Sequence, residues 1–212
     1  MSCALCQTRR PRRFCPGVRG DICALCCGAE REVTVSCPLD CEYLRESRKH
    51  EKIPPIEPDQ IPNGDIKLPE DFLEAHGELM TFLGHSIANA ALQIPGAVDR
   101  DAREALEALV RTYRTLESGV YYESRPTNPL AAGIFGSAQE AANEFRQRER
   151  ETLGLTKTRD SDVLRSFVFL QRVELNRNNG RPRGRAFLDL LRESYPGAEG
   201  ASPAAESNLV LP

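Results

Sequence analysis

The chain has 212 residues, 40% of them hydrophobic and 28% charged, with a formal net charge of −3. That length suits one ordinary domain plus a small second one and exceeds a lone zinc finger. The charge balance excludes a global positive field of the kind that coats nucleic acid, no apolar run approaches the ~18 residues of a membrane helix, and the 6% aromatic content without Trp argues against a sheet-rich core.

In chain order, residues 1–52 come first and hold all eight cysteines. No apolar stretch near the start has the length of a signal-peptide core, so the expected setting is the cytoplasm, where clustered thiols are metal ligands more often than disulfides. The order is Cys3-x2-Cys6, Cys15, Cys23-x2-Cys26-Cys27 and Cys37-x3-Cys41. Two tetrahedral Zn2+ ions need eight ligands and the segment supplies eight thiols, so the count closes without His50. An iron–sulfur cluster fits less well, because the compact Cys-x2-Cys-x2-Cys run is missing. Vicinal Cys26 and Cys27 read as ligands of different ions rather than as a redox pair. Gly17 and Gly28 are expected to supply positive-φ turns, and Cys37-Pro38 is expected to open a helix on which Cys41 faces the same way one turn later.

The preferred partition is interleaved, with Cys3, Cys6, Cys23 and Cys26 on one ion and Cys15, Cys27, Cys37 and Cys41 on the other. An alternative exchanges Cys23 with Cys27. Either way so short a segment cannot build an adequate core, and the metal becomes its main source of stability.

On these residues, 3–41 resemble a cross-brace zinc finger of the HIT or MYND kind, in which Cys pairs alternate around two ions. The run Cys15-Pro16-Gly17 through Cys26-Cys27-Gly28 and Arg31-Glu32-Val33 also resembles the N-terminal segment of a group of bacterial Cys-rich proteins. The resemblance implies a structural metal module and no activity.

Arg9, Arg10, Arg12 and Arg13 crowd the loop between Cys6 and Cys15. Residues 1–52 carry ten Lys or Arg and seven Asp or Glu, and eight thiolates with two Zn2+ bring the loaded module near −1. Charge compensation is therefore the favoured reading of these arginines. A nucleic-acid contact is the alternative, weakened by an arginine run without interleaved aromatics.

Residues 53–68 form a Pro-rich linker with a turn at Asn63-Gly64-Asp65. From Pro69 the pattern turns helical, with Phe72, His76, Leu79, Leu83, Ile87, Ala90 and Ile94 at three- and four-residue steps up to Pro95-Gly96. A second helix from about Asp99 carries the stripe Val98, Ala102, Leu106, Leu109, Tyr113, Leu116 and Val120. A third is expected from the capping-box pair Ser137 and Glu140 to about Leu153. A fourth, from about Asp160 to Asn176, is apolar around much of its circumference and so predicted to be central. A fifth holds Ala186, Phe187, Leu190, Leu191 and Tyr195. Arg177, Arg181, Arg183 and Arg185 read as a solvated loop, and residues 196–212 as a disordered tail.

The predicted fold class is thus mostly α: a two-zinc cross-brace module (1–52), a linker (53–68) and an all-α bundle of about five helices (69–195). No nucleotide loop, nucleophile elbow or His-Glu-x-x-His motif occurs. His76 and His85, nine residues apart on one helix, point to nearly opposite sides. The expected function is a non-enzymatic, zinc-binding interaction or regulatory protein with a protein partner, or, as the alternative, a nucleic-acid-associated factor using Arg9, Arg10, Arg12 and Arg13.

Overall fold

The computed structural model describes residues 2–51, 55–120 and 122–195. The predicted tail at 196–212 lies outside them, as do Ile53 and Pro54 of the linker. Among the described residues the protein is mostly helical, with eight α-helices and one two-stranded sheet.

The cysteine segment opens with β1 (Arg13–Cys15), which pairs antiparallel with β2 (Gly20–Ile22) so that Phe14 stands opposite Asp21. Two short helices follow, α1 (Ala24–Glu30) and α2 (Glu42–Arg48). The helix expected from Cys37 starts later. Pro38 to Asp40 form a turn closed by the Cys41 amide on the Pro38 carbonyl at 3.1 Å, and Cys41, with extended ψ of 116°, becomes the N-cap of α2. Gly17 is needed for closeness rather than for positive φ: a Cβ there would lie 2.7 Å from the Ser36 carbonyl oxygen and 2.8 Å from Val35. The left-handed positions of this segment are instead Gln7, Arg19 and Glu32, with φ of 55°, 55° and 53°.

The helix predicted from Pro69 is divided at His76, whose φ of −124° and ψ of 23° interrupt the coil between α3 (Phe72–Ala75) and α4 (Gly77–Gln93). Then come α5 (Asp99–Glu117), α6 (Pro129–Leu153), α7 (Asp160–Arg177) and α8 (Ala186–Ser194). Here α6 starts eight residues before Ser137. Asn128 caps it by accepting from the Leu130 amide at 3.0 Å, and Pro129 takes the first-turn position where no amide donor is required. Its other end closes at Gly154 in the left-handed conformation.

Phe135, Phe167, Phe187, Leu83, Ile87, Leu106, Leu109, Ile134 and Leu164 are fully buried in a single core shared by α4 to α8. Within this core α7 packs on α4, α5 and α8, while α4 and α5 touch at least as many helices, so the bundle has no single central helix. Ala102, Leu106, Leu109 and Tyr113 of α5 face this core, whereas Val120 is exposed. The stripe therefore serves the chain's own packing. Residues after Pro55 are held against the bundle: Arg114 grips Asp65 in a bidentate pair at 2.8 Å, and Arg172 donates to the carbonyls of Asn63 and Ile66 at 2.7 and 2.8 Å.

A buried carboxylate secures the last helix. Asp99 accepts from the amides of Phe187 and Leu188, both at 3.0 Å, so the first turn of α5 caps α8 across space. Burial raises the Asp99 carboxyl from 3.8 to about 7. A raised folded-state pKa means that its stabilisation is fully present below about pH 4 and lost as pH rises through about 7. Asp99→Asn keeps an accepting oxygen and removes the titration. Urea unfolding of the variant should therefore show its stability gaining on the parent's from pH 5 to pH 8; a constant difference would show that Asp99 does not titrate in this window.

The arginine-bearing segment after α7 is a clamp rather than a solvated loop. Arg181 donates to the Arg31 carbonyl at 2.8 Å, Arg183 to the Ser36 hydroxyl at 2.6 Å and Arg185 to the Cys37 carbonyl at 2.7 Å. At the centre lies Glu32, 1% exposed. One carboxylate oxygen accepts from Arg48 at 2.9 Å and from the Arg185 amide at 3.1 Å, the other from Asn179 at 2.9 Å. Arg48 reaches on to Asp189 of α8, which also pairs with Arg192.

Candidate metal centre

The knuckle Cys3-x2-Cys6 is closed by the Gln7 amide on the Cys3 carbonyl at 2.8 Å, with Gln7 in the left-handed conformation. The N-cap of α1 is Cys23, whose sulfur accepts from the Cys26 amide at 3.4 Å, and its own amide donates to the Cys3 sulfur at 3.2 Å. These bonds join the two halves of the centre. The Sγ atoms of Cys3, Cys6, Cys23 and Cys26 all lie within 4.8 Å of one another. Tetrahedral Zn–S bonds of about 2.3 Å set sulfurs ~3.8 Å apart, so a small contraction seats an ion. Cys3, Cys23 and Cys26 are buried and Cys6 half-buried, which leaves the donor set closed.

The thiols differ in acidity. The hydroxyl and amide of Thr8 and the amide of Arg9 draw Cys6 down to about 5, while hydrogen bonding with Cys23 and burial push Cys26 up to about 12. Cys3 is drawn down chiefly by the Cys6 amide. A divalent ion entering this set would displace the remaining protons, because the thiolate is the ligating form.

The other four cysteines are not brought together in the same way; Cys3, Cys6, Cys23 and Cys26 are the one such group among the described residues. Cys15 and Cys41 pack with Cys37, Val35 and Leu44, whereas Cys27 packs beside the first group and receives a hydrogen bond from Arg31 at 3.7 Å. Burial raises the Cys37 thiol, with Glu32, Cys15 and Cys41 adding charge against its ionisation.

The four arginines of the loop divide. The neighbouring Cys23 and Cys6 thiols favour the charge on Arg9. Arg13 lies over the Tyr43 ring, 3.8 Å from the centroid. Arg10 and Arg12 are exposed. Glu32, Arg48 and Asp189 escaped the sequence reading, since no periodicity or spacing marks a single acid in a polar turn as buried.

Together these features define a mostly helical protein with an N-terminal cysteine cluster able to hold a metal ion. No family model, curated protein or solved structure matches the chain. No helix of the described residues is long and apolar enough to cross a membrane.

Proposed function

We propose that this is a non-enzymatic zinc protein in which the cysteine segment, folded around two Zn2+ in the cross-brace manner of HIT and MYND fingers, is an interaction element carried by the helical bundle. The convergence of Cys3, Cys6, Cys23 and Cys26 within 4.8 Å supports this most strongly. Four sulfur donors leave no open coordination position, which suits a structural rather than a catalytic ion. Cys15, Cys27, Cys37 and Cys41 make up the second ligand set. In this reading Arg9 offsets the charge of the first set and the partner is met on the outer surface of the segment.

Elemental analysis of the purified chain should return two zinc ions per molecule, and X-ray absorption should show sulfur at about 2.3 Å with a coordination number of four. One zinc per chain would remove the second site, and iron with a visible charge-transfer band would replace the reading altogether.

A further inference from the structure

The outer face of the β1–β2 hairpin is left bare. Side chains alternate along a strand, so Arg13, Cys15 and Ile22 turn toward the module while Phe14 and Asp21 turn out. Just before β1 the Arg12 amide donates to the Ile22 carbonyl at 2.9 Å, one residue out of the hairpin register, and Arg12 itself is exposed. Phe14 is 62% exposed, so one of its ring faces is open to solvent. Around it Arg10, Arg12 and Arg19 are exposed, and none makes a side-chain hydrogen bond or ion pair among the described residues.

These three arginines are distinct from Arg9, whose charge is engaged by thiols, and from Arg13, which is engaged by Tyr43. On a chain of net charge −3 they put three exposed positive charges within five residues of the exposed Phe14 ring along the chain. The sequence alone hid this, because Phe14 follows the arginines rather than alternating with them; the hairpin turns its ring out to solvent beside Asp21.

Resting on the interaction role proposed above, we propose that this face binds single-stranded nucleic acid, with a base stacked on Phe14 and phosphates held by Arg10, Arg12 and Arg19. Charge complementarity selects a polyanion, and the exposed ring selects one with free π-faces. A duplex keeps its bases stacked inward and offers none to Phe14. An acidic peptide carries charge without those faces. Asp21 is the one acid of the hairpin strands, and its carboxylate opposite Phe14 works against a phosphate there.

The test uses the full metal-loaded chain and fluorescence anisotropy with a labelled oligouridine, an oligothymidine, a mixed duplex of equal length and polyglutamate. The single strands should bind best. Phe14→Ala should weaken them by roughly 5- to 150-fold, the range of one base–aromatic stack. Replacing Arg10, Arg12 and Arg19 together with Gln should flatten the salt dependence by about 0.7 log units per contact, or about 2 in all. Asp21→Asn should tighten binding. Equal affinity for polyglutamate, unchanged binding by Phe14→Ala, or no binding at low salt would each overturn the proposal. Zinc measured on the same samples separates the two readings: normal zinc without binding rejects this face alone, while absent zinc in the parent protein rejects the metal module.

Discussion

Stripping the metal, by chelation or by Cys26→Ser, is expected to unfold residues 2–51 and to leave the bundle helical. The asymmetry follows from where each part finds its stability. The buried core of the helical part is a single cluster drawn from residues after Pro69, complete without the cysteine segment. The segment has only Ile22, Val35, Leu39 and Leu44 as buried large apolar groups, and its remaining interior is cysteine. Structural zinc supplies about 10–16 kcal/mol in peptides of this kind, more than the whole stability of most domains. Circular dichroism should lose the contribution of α1 and α2 alone, and limited proteolysis should open sites before Pro55 first. Loss of the entire helical signal on chelation would show that the bundle depends on the module for its own fold.

Glu32→Ala is expected to cost about 3–5 kcal/mol, the range for removing one member of a buried charge pair. The magnitude rests on what is left behind. The Arg185 amide and Asn179 lose their acceptor at once and Arg48 keeps only Asp189, in surroundings that are almost closed to water. Relief of the left-handed φ of 53° does not repay this, because alanine is no better suited to it than glutamate. Glu32→Gln removes the charge but keeps one accepting oxygen and should fall between the two. Chemical denaturation monitored at both parts should show the segment released from the bundle before either unfolds; a single cooperative loss of less than about 1 kcal/mol would mean that the clamp adds little.

The five apolar stretches of the bundle were legible because burial repeats at the helical period, and the long apolar run of α7 foretold its burial against α4, α5 and α8. The grouping of Cys3, Cys6, Cys23 and Cys26 was also legible, since Cys-x2-Cys knuckles come in pairs. The true start of α6 was not. Gly133 and Gly136 weaken the helical signal before Ser137, yet a Cβ on Gly133 would sit 2.8 Å from Ile94, so the glycine marks a close helix approach rather than a break. Capping of α8 by Asp99 and of the module by Arg181, Arg183 and Arg185 was beyond reach for a different reason: their partners lie some 85 to 150 residues away.

Arg181, Arg183 and Arg185 take hold of the cysteine segment largely by its main chain. The carbonyls of Arg31 and Cys37 receive guanidinium groups, and that of Glu32 receives the Arg183 amide at 2.8 Å. A grip of this kind reads the path of the backbone and is nearly indifferent to the outward side chains. The surface of the segment is thus free to diversify toward different partners, while an insertion or deletion between Arg31 and Cys37 would throw the carbonyls out of register. The bundle acts as a socket for an exchangeable cartridge, and another loop of the same contour, grafted with Glu32 in place, would fit it.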